Sequence, residues 1–449
     1  MAKEKFLIVG SGGRESAFAL KLYQETQLFA LMGHNNPTII DCVNASGGEF
    51  LVANANDPKV VLAYAQNHQI DYVFVSADDP LANGVVDILL ENKIKAVGGT
   101  QAATRIEWDK IYSIDLMHAV APERTPFYRV VNKTDNLDEA ISAFKAKGVD
   151  LVVKPQGLTG GKGVKVMPDH LANFEECKAY TQELLEAAPD ESVLLVEKLE
   201  GIEFTIMGLT DGENLVMAPA TYDYPFRFEG DTGPGTGGMG CFTNNEKKLP
   251  FMTDADLESC RDILQRVIDE MRARNLVFNG VLNGGFFKTA DGIKFMEFNS
   301  RFGDPEGLNV LSVLESSFAE LIKSMYYKTL KDSEVKFANK ASVIKYIVAK
   351  DYPKHSAETT VFELNPETYK AEGVEVIFGS CERVEGHQYT SLKKSRVLAF
   401  CACADDIETA SERINQSIES HFKTNLDYRK DVASTESLQK LEAINRSLV

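Results

Sequence analysis

The sequence predicts a multidomain protein of mixed α/β and α+β class, with a Rossmann-like parallel-sheet domain first and a small β-rich domain last. Up to Gly98, short apolar runs alternate with helical patterns, as they do in βαβ units with a parallel sheet. From Lys340 onward strand patterns dominate, and one helical pattern, Asp405–His421, accompanies them. The 449 residues are enough for about three domains.

Composition and charge narrow the classes of function. The chain is 44% hydrophobic and 25% charged, which is ordinary for a soluble globular protein. The net charge of −18 argues against nonspecific nucleic-acid binding, because that binding needs Lys and Arg to neutralise phosphates. Seven scattered cysteines without a CxxC pair fit a reducing compartment, and the seven histidines are too far apart for a zinc site.

The beginning of the chain and its apolar runs bear on localisation. The sequence starts MAKEK and enters an apolar run at once, which does not resemble a signal peptide. No apolar run approaches the ~18 residues that a membrane span requires. We therefore expect a cytoplasmic protein with neither a nucleic-acid nor a membrane partner.

The first motif is a glycine-rich turn between a strand and a helix. A buried strand is predicted at Phe6–Val9 and a helix at Glu15–Tyr23, with GSGGRE at Gly10–Glu15 joining them. Such a turn can bind phosphate, because backbone N–H groups and the helix N-terminus both favour an anion. The spacing does not match the GxGxxG dinucleotide fingerprint, and similar turns also occur with no ligand bound.

The first sheet continues with alternating strands and helices. Strands are predicted at Glu49–Val52, Tyr72–Ser76 and Ala96–Gly98, and helices at Asp57–Asn67 and Pro80–Asn92. Asp78 and Asp79 follow one of these strands, where parallel sheets bind ligands, so we expect at least one of them to contact a ligand. The alternative is that one of the two only caps the next helix.

A second glycine-rich loop lies in the unit Leu151–Met167, LVVKPQGLTGGKGVKVM, which follows a helical segment over Gln101–His118. It is not a P-loop, because the GxxxxGK[ST] pattern is absent and a strand follows where a helix should. A glycine-rich loop between antiparallel strands can instead close over a triphosphate as a flap, with Lys154 supplying a positive charge. The alternative is a flexible hairpin.

Two further segments carry candidate ligand-binding residues. Val193–Val196 leads to a strand exit at Glu197–Leu199 that could bind adenine through its backbone, with Glu203 at a ribose hydroxyl; a plain strand and turn is the alternative. The segment Arg227–Met239, RFEGDTGPGTGGM, is interpreted as too long and irregular for a simple hairpin, and such loops are usually functional or disordered. Asp231 and Thr232 in this segment suit a small substrate with an amine and a carboxylate.

The stretch Lys294–Leu308, KFMEFNSRFGDPEGL, combines a strand pattern with four charged residues within ten positions, namely Glu297, Arg301, Asp304 and Glu306. Glu297 and Asn299 are two apart and point to one face of a strand. Their oxygens suit Mg²⁺, which takes oxygen ligands and completes its shell with phosphate and water. The alternative is an acidic turn in which Arg301 pairs with Asp304.

The remaining elements are ordinary helix and strand patterns. Helices are predicted at Asp254–Arg274 and Ser316–Tyr327 and a glycine-rich strand at Gly280–Phe287. The strands of the last domain are predicted at Ala341–Val348, Val374–Ile377 and Arg396–Cys403.

Taken in order, the motifs resemble the ATP-grasp superfamily and, within it, the phosphoribosylamine–glycine ligase family. The likeness covers nearly the whole chain, and YRKD at Tyr428–Asp431 also fits. The motifs that carry it are GSGGRE at Gly10–Glu15, GGKGV at Gly160–Val164, GDTGPGTGGMG at Gly230–Gly240 and EFNSRFGDPE at Glu297–Glu306. It implies an N-terminal domain over residues 1–104, an ATP-grasp domain over 105–335 with a flap at about 124–195, and a C-terminal domain over 336–449.

The resemblance also implies an activity. The expected reaction joins glycine to 5-phosphoribosylamine with ATP, through glycyl phosphate, and yields glycinamide ribonucleotide, ADP and phosphate in de novo purine biosynthesis. The implied cofactors are ATP and Mg²⁺, or Mn²⁺ in its place. The implied partners are small molecules only, and the implied assembly is a monomer or homodimer. The alternatives are a ligase for another carboxylate and amine, or an inactive nucleotide-binding protein, although a dead homologue would be free to lose Lys154, Glu297, Asn299 and Arg301.

The implied residue roles follow the motifs. Those implied for ATP are Lys110, Lys154, Gly160, Gly161, Lys162, Glu197, Lys198, Leu199 and Glu203. Those for phosphoribosylamine are Gly12, Gly13, Arg14 and Asp78, and those for glycine are Asp231, Thr232 and Arg301. Glu297 and Asn299 are implied as metal ligands, and Arg301, Lys154 and Asp231 as catalytic residues.

The chain departs from the family pattern in three places. Ser16 stands where the family has the histidine of REHA, and Ser76–Asp78 replaces a glycine–proline–glutamate turn. Pro225–Arg227 replaces a histidine–lysine–arginine sequence. These departures bear on the phosphoribosylamine contacts more than on the ATP chemistry.

Overall fold

The computed structural model describes residues 3–156 and 163–448, and its first part is the predicted βαβ series. One strand–helix pair, over Gln27–Met32 and Pro37–Ser46, was not predicted. The predicted helix Pro80–Asn92 is two helices because Gly84 takes a left-handed conformation at φ 79°. The elements are β1 (Lys5–Val9), α1 (Gly13–Leu22), β2 (Gln27–Met32), α2 (Pro37–Ser46), β3 (Phe50–Val52), α3 (Pro58–Asn67), β4 (Tyr72–Phe74), α4 (Asp78–Ala82), α5 (Val85–Glu91) and β5 (Lys95–Gly99).

A four-stranded antiparallel sheet follows, with the order β6-β9-β7-β8. The glycine-rich loop joins β7 to β8, as predicted, and its residues 157–162 lie outside the described chain. The predicted helix Gln101–His118 is two helices, because Asp109 is extended and caps the second one by accepting from the N–H of Tyr112. The elements are α6 (Gln101–Trp108), α7 (Lys110–Val120), β6 (Tyr128–Val131), α8 (Leu137–Lys147), β7 (Leu151–Pro155), β8 (Lys165–Val166), α9 (Phe174–Ala187) and β9 (Val193–Glu197).

The middle of the chain contains the longest strands. The prediction that Arg227–Met239 is not a hairpin is wrong, because β13 and β14 pair around a turn at Asp231, which adopts a left-handed φ of 60°. The elements are β10 (Ile202–Thr210), β11 (Leu215–Met217), β12 (Tyr222–Asp223), β13 (Phe226–Phe228), β14 (Thr232–Gly235), β15 (Gly240–Thr243), α10 (Asp254–Ala273), β16 (Phe278–Thr289), β17 (Gly292–Asn299), α11 (Glu306–Val313) and α12 (Phe318–Tyr327).

The C-terminal part is β-rich but contains three helices where sequence analysis predicted one. Its main sheet has the order β12-β15-β18-β23-β20, so strands from both sides of residue 336 build it. The elements are β18 (Ala341–Ile347), β19 (Val361–Glu363), α13 (Pro366–Ala371), β20 (Val374–Phe378), β21 (Cys381–Glu385), β22 (Gln388–Ser391), β23 (Leu398–Ala404), α14 (Ile407–His421) and α15 (Thr435–Ser447).

One continuous sheet connects the N-terminal part to the middle of the chain. Its order is β11-β10-β16-β5-β4-β1-β2-β3, and β17 pairs with β16 beside this path. The parallel strands β1 to β5 meet the antiparallel strands where β16 pairs with β5 at Phe278 and Gly99. The carboxyl ends of the parallel strands therefore lie on the same sheet as the end of β17.

Aromatic packing holds α1 against the segment that follows β17. Phe18 of α1 contacts Phe302 and Phe318, with ring centroids 5.4 and 5.8 Å apart, and all three are buried. Burying a side chain of this size contributes roughly 1.5–3 kcal/mol. Arg14, one turn before Phe18, is thereby placed next to Arg301. Among the residues described, no helix has the length and apolarity to cross a membrane.

Candidate active site

Two adjoining cavities meet at the end of β17. The first, of about 460 Å³, lies toward α1, α7 and β7, and the second, of about 450 Å³, lies toward β10, β12 and α15. The residues that line both are Thr236, Gly237, Met296, Glu297, Asn299, Arg301 and Asp304. A group bound at this shared wall would be reachable from both cavities.

The end of β17 presents its polar residues because of a β-bulge. Glu297 lies opposite Gly285, but Phe295 lies opposite Phe286, so Met296 is an extra residue in the strand. Phe295 and Phe298, although three apart, therefore both reach the core, with ring centroids 4.5 Å apart. Glu297 and Asn299 remain on the cavity face, as the sequence predicts.

Arg301 is bound to carboxylates from two distant helices. Its Nε donates to Asp78 Oδ1 at 2.6 Å and its Nη2 lies 3.1 Å from Glu107 Oε1. Arg14 Nη1 lies 3.5 Å from the same Asp78 oxygen. The alternative that Arg301 pairs with Asp304 is wrong, since Asp304 accepts from Tyr346 Oη at 2.6 Å and pairs with Arg396 at 3.2 Å.

The charges in this network stabilise one another. Burial opposes ionisation of Asp78, but Arg301 and Arg14 together hold the pKa of its carboxyl well below the usual range. Burial alone would lower the pKa of Arg301, and Asp78 and Glu107 instead raise it. Asp78 and Arg301 therefore stay charged at neutral pH.

Asp78 lies in the first turn of α4, with Ala77 as the N-cap residue. The alternative that Asp78 or Asp79 serves only as the cap is therefore wrong. Asp79 is exposed and accepts from Asn56 Nδ2 at 3.2 Å. Only Asp78 of the two lines the first cavity.

Two lysines face Glu297 in the first cavity. Lys154 comes from β7 and Lys110 from the start of α7. Burial lowers the pKa of Lys110 and so does Lys154, while Glu297 acts in the opposite direction. Two nearby ammonium groups that repel each other favour a polyanion such as a phosphate chain between them.

The second cavity is rich in carboxylates. Burial is the main cause that raises the pKa of Glu203 to about 7, although part of this residue is exposed. Burial also raises the pKa values of Asp223 and Glu306. Asp223 Oδ1 and Asn283 Oδ1 are buried with no hydrogen-bond partner among the described residues. The cavity is thus short of donors.

The turn at Asp231 is held by the YRKD motif. Arg429 pairs with Asp231 at 3.0 Å and with Asp431 at 2.6 Å, and it is almost completely buried. Asp231 lines the second cavity, whereas Thr232 does not and donates its hydroxyl to the carbonyl of Glu229. The structure therefore brings Asp231 to the site but not Thr232.

The turn Gly10–Glu15 is only partly at the site. Arg14 lines the first cavity, but Gly12 and Gly13 do not. The N–H of Gly12 donates to Glu15 Oε2 at 2.7 Å, so it is used within the turn.

All three departures from the family pattern have structural partners. In Ser76–Asp78, Ser76 Oγ accepts from the N–H of Phe302 at 2.9 Å, and Asp78 pairs with Arg301 and Arg14. Ser16 is buried and donates to the carbonyl of Phe378 at 2.6 Å, which ties α1 to the C-terminal sheet. Arg227 is buried against Asp427, at 2.8 Å, and lines neither cavity. Both residues stabilise contacts between distant parts of the chain.

The predicted adenine segment lines neither cavity. The N–H groups of Glu197 and Lys198 donate to the carbonyls of Phe127 and Asp150, each at 2.8 Å. Leu194 and Val196 of β9 line the first cavity instead. The predicted flap residues Gly160, Gly161 and Lys162 lie outside the described residues.

Several residues of the site were not predicted from the sequence, namely Glu107, Asp223, Asn283, Tyr346 and Arg396. The first four lie on ordinary helices or strands and Arg396 lies just before β23, and a single polar residue at such a position carries no local signal. Only the pairing of distant segments shows that Glu107, Asp223, Asn283 and Arg396 line the cavities and that Tyr346 binds Asp304.

The pair Glu297 and Asn299 fits a cation that brings other ligands with it. Among residues 3–156 and 163–448, no group of three or more His, Cys, Asp or Glu side chains is arranged to hold a metal ion. A Cβ at Gly285 would lie 3.3 Å from Glu297 Cγ and 2.8 Å from Met296 Cε, so this glycine keeps space beside Glu297. Two side-chain oxygens with room for phosphate and water are typical of Mg²⁺ sites.

Comparison with protein families matches most of the chain. The phosphoribosylglycinamide synthetase N domain matches residues 4–107, the ATP-grasp (A) domain matches 108–307, and the C domain matches 342–435. The phosphoribosylamine–glycine ligase of Pyrococcus furiosus is 37% identical over 445 residues, covering 99% of this chain and 98% of that protein. That of Methanocaldococcus jannaschii is 36% identical over 446 residues, covering 98% and 99%.

Solved structures show the same fold. The crystal structure of phosphoribosylamine–glycine ligase from Thermotoga maritima has a TM-score of 0.75 at 21% identity, covering 95% of this chain and all of that one. The biotin carboxylase domain of 2-oxoglutarate carboxylase from Hydrogenobacter thermophilus has a TM-score of 0.70 at 15% identity, covering 99% of each chain. The predicted multidomain fold with an ATP-grasp domain is confirmed.

Proposed function

The chain belongs to the phosphoribosylglycinamide synthetase family, and we propose that it joins glycine to 5-phosphoribosylamine with ATP in purine biosynthesis. The products are glycinamide ribonucleotide, ADP and phosphate. The observation that carries this proposal is the shared wall, where Glu297, Asn299 and Arg301 are reachable from two cavities. A reaction that moves a phosphoryl group to one substrate and then admits a second needs such access from two sides.

The phosphates of ATP lie at the first cavity in this proposal. Lys110 and Lys154 neutralise them, and Glu297 and Asn299 would hold Mg²⁺, or Mn²⁺ in its place. The bound ion would neutralise charge on the transferring phosphoryl group. Glu197–Leu199 and Glu203 bind the nucleoside in our proposal, by analogy with the family, and the loop with Gly160, Gly161 and Lys162 covers the phosphates.

The two other substrates approach the shared wall from opposite sides. Phosphoribosylamine binds near Arg14 and Asp78, with Gly12 and Gly13 supplying backbone contacts to its phosphate as in the family. Glycine binds on the side of Asp231, with Arg301 toward its carboxylate. Thr232 acts through the conformation of the turn, since its hydroxyl is used within the chain.

The chemistry follows from the weakness of a carboxylate as an electrophile. Its charge repels a nucleophile and it has no leaving group, and transfer of the γ-phosphoryl group removes both obstacles by forming glycyl phosphate. The amine of phosphoribosylamine then attacks the acyl carbon and phosphate leaves. Arg301 stabilises the oxyanion, and Lys154 offsets the charge of the transferring group.

Water must be kept from the acyl phosphate, because it would hydrolyse the intermediate. The glycine-rich loop follows β7, the strand that carries Lys154, and in our proposal its closure shields the first cavity. The unpaired state of all seven cysteines supports our proposal of a cytoplasmic enzyme, and we propose a monomer or homodimer with small-molecule partners only.

A coupled assay of ADP formation tests the proposed function. We expect ADP only when phosphoribosylamine and glycine are both present with ATP and Mg²⁺. ADP formation that ignores glycine but responds to another amino acid would favour the alternative of a different carboxylate–amine ligase. Omission of phosphoribosylamine is the matched control, since the free intermediate should not turn over.

A further inference from the structure

Asn283 is a buried polar residue in the second cavity that has no assigned task. It lies on β16 directly opposite Asn299 of β17, and only 1% of its surface is exposed. Its Oδ1 is buried and has no hydrogen-bond partner among the described residues, although the residue lines the second cavity. Buried polar groups are normally paired, so an unpaired acceptor in a residue that lines a cavity marks a position where a bound group can donate a hydrogen bond.

The surroundings of Asn283 select the charge of that ligand. Among the described residues that line the second cavity, Arg301 is the one cation, and it is already bound to Asp78 and Glu107. The carboxylates that line the same cavity are Glu203, Asp223, Asp231, Glu297, Asp304 and Glu306. A cavity walled by acceptors accommodates a cationic donor.

We propose that Asn283 positions the amino-acid substrate by accepting a hydrogen bond from its α-ammonium group through Oδ1. This inference rests on the proposed function and names the recognition of its amino acid. Asn283 lines only the second cavity, whereas the proposed metal ligands Glu297 and Asn299 line both. Asn283 therefore lies on the amino-acid side of these two ligands. Directly paired cross-strand residues have Cβ atoms about 4.5–5.5 Å apart, which suits a substrate whose amine and carboxyl carbon are two bonds apart.

Asp223 provides a second acceptor for the same group. Its Oδ1 is also buried without a partner among the described residues, and it lines the same cavity. A carboxylate and an amide oxygen together stabilise the charged ammonium form. A protonated amine has no lone pair, so the amino group of a bound amino acid does not compete as a nucleophile with the amine of phosphoribosylamine.

Binding measurements on two substitutions of Asn283 test the proposal without turnover. Asn283→Leu keeps the approximate volume and removes the acceptor, and Asn283→Asp keeps the acceptor and removes the amide N–H. Calorimetry would measure glycine binding to the full chain with Mg²⁺ and a non-hydrolysable ATP analogue. We expect Asn283→Leu to weaken glycine binding roughly 10- to 100-fold, as for a hydrogen bond to a charged group, and Asn283→Asp to retain binding within about threefold.

Glycolate, which has a hydroxyl in place of the ammonium group, is the matched ligand control. Asn283→Leu should weaken glycine binding far more than glycolate binding, so the preference for glycine should fall by the same factor. Equal losses for both ligands would overturn the proposal. If Asn283→Leu does not fold, a large loss of the glycine preference in Asn283→Asp would overturn it as well.

Two further outcomes separate the possible failures. A loss of affinity for Mg²⁺ and the ATP analogue, with the preference for glycine unchanged, would make Asn283 a metal ligand and overturn the proposal. Failure of the unsubstituted protein to bind glycine, with normal binding of the ATP analogue, would instead refute the proposed function. In that case the affinities of the two variants for other amino acids would not support Asn283 as the acceptor for the ammonium group of glycine.

Discussion

Arg301 Nε and Asp78 Oδ1 lie 2.6 Å apart and join segments that are 223 residues apart in the chain. Asp78 is the first residue of α4, which follows β4 of the N-terminal sheet, and Arg301 follows β17. Arg14 contacts the same carboxylate, so one aspartate orients two guanidinium groups at the first cavity. This relationship places the proposed phosphoribosylamine side next to the residue that faces the activated carboxyl.

Replacing Asp78 with Asn should impair both activity and stability. Two guanidinium groups would lose their shared counter-charge, and we expect kcat/KM for phosphoribosylamine to fall by roughly 10- to 100-fold, a factor typical of losing a charge-assisted hydrogen bond. Steady-state kinetics would measure this, with Asp79→Asn as the control because Asp79 is exposed and outside the cavities. Equal effects of the two substitutions would contradict the proposed role of Asp78.

The same pair has a defined pH dependence. The pKa of Asp78 is lowered in the folded protein, so its stabilising contribution is present above the unfolded pKa of about 3.9 and is lost as pH falls toward the folded value. The difference in melting temperature between the unsubstituted protein and Asp78→Asn should be constant from pH 5 to 8 and shrink in stronger acid. A difference that shrinks between pH 6 and 8 would refute this assignment.

Replacing Glu297 with Gln should abolish turnover and leave the fold intact. The substitution keeps the shape and removes the charge that would hold the metal ion, and we expect kcat to fall by at least about 100-fold, since even residues outside the ligand shell affect metal sites 10- to 100-fold. The exposure of Glu297 predicts little change in melting temperature. An active variant with ordinary Mg²⁺ dependence would show that Glu297 is not a metal ligand.

Compared with the unsubstituted protein, the Glu203→Gln variant should become more stable as the pH rises. The pKa of folded Glu203 is raised from 4.5 to about 7, so the folded state holds a proton that the unfolded state has released between these values. The contribution of Glu203 to stability is therefore highest below about pH 4.5 and falls as pH rises through about 7. Because cavity water screens this side chain, we expect a change in the melting-temperature difference on the order of 1 °C between pH 5 and pH 8.

The approach of Gly13 to Tyr346 can be tested by a pair of substitutions. A Cβ at Gly13 would collide with Tyr346 Oη, so Gly13→Ala should destabilise the fold by about 1–3 kcal/mol. Tyr346→Phe removes the hydroxyl, and the double variant should recover most of the loss caused by Gly13→Ala. Gly235→Ala is the control, because no atom lies within 4 Å of its Cβ position. Additive effects at Gly13 and Tyr346 in thermal unfolding would show that the two do not collide.

Patterns within one segment were predictable because they depend on local chemistry. The alternation of strands and helices in the first domain, the antiparallel strands around the glycine-rich loop and the common face of Glu297 and Asn299 all follow from residue period and turn residues. The hairpin at Asp231 was not predicted because its turn requires an aspartate in the left-handed conformation. Sequence patterns indicate that conformation at glycine but poorly at other residues. The division of the predicted helix at Asp109 was not predicted either, because a single aspartate side chain caps the second helix.

The amino-acid sequence by itself determined the order of the motifs, the family to which they belong and the oxygen pair at the end of β17. Only the tertiary structure decided which charges meet: Arg301 with Asp78 and Glu107, Asp304 with Arg396 and Tyr346, and Asp231 with Arg429. Ion pairs of this kind join residues tens to hundreds of positions apart, so no local period predicts them. Asn283 belongs to the same class, because its significance arises from the strand opposite and the cavity beside it rather than from its neighbours in sequence.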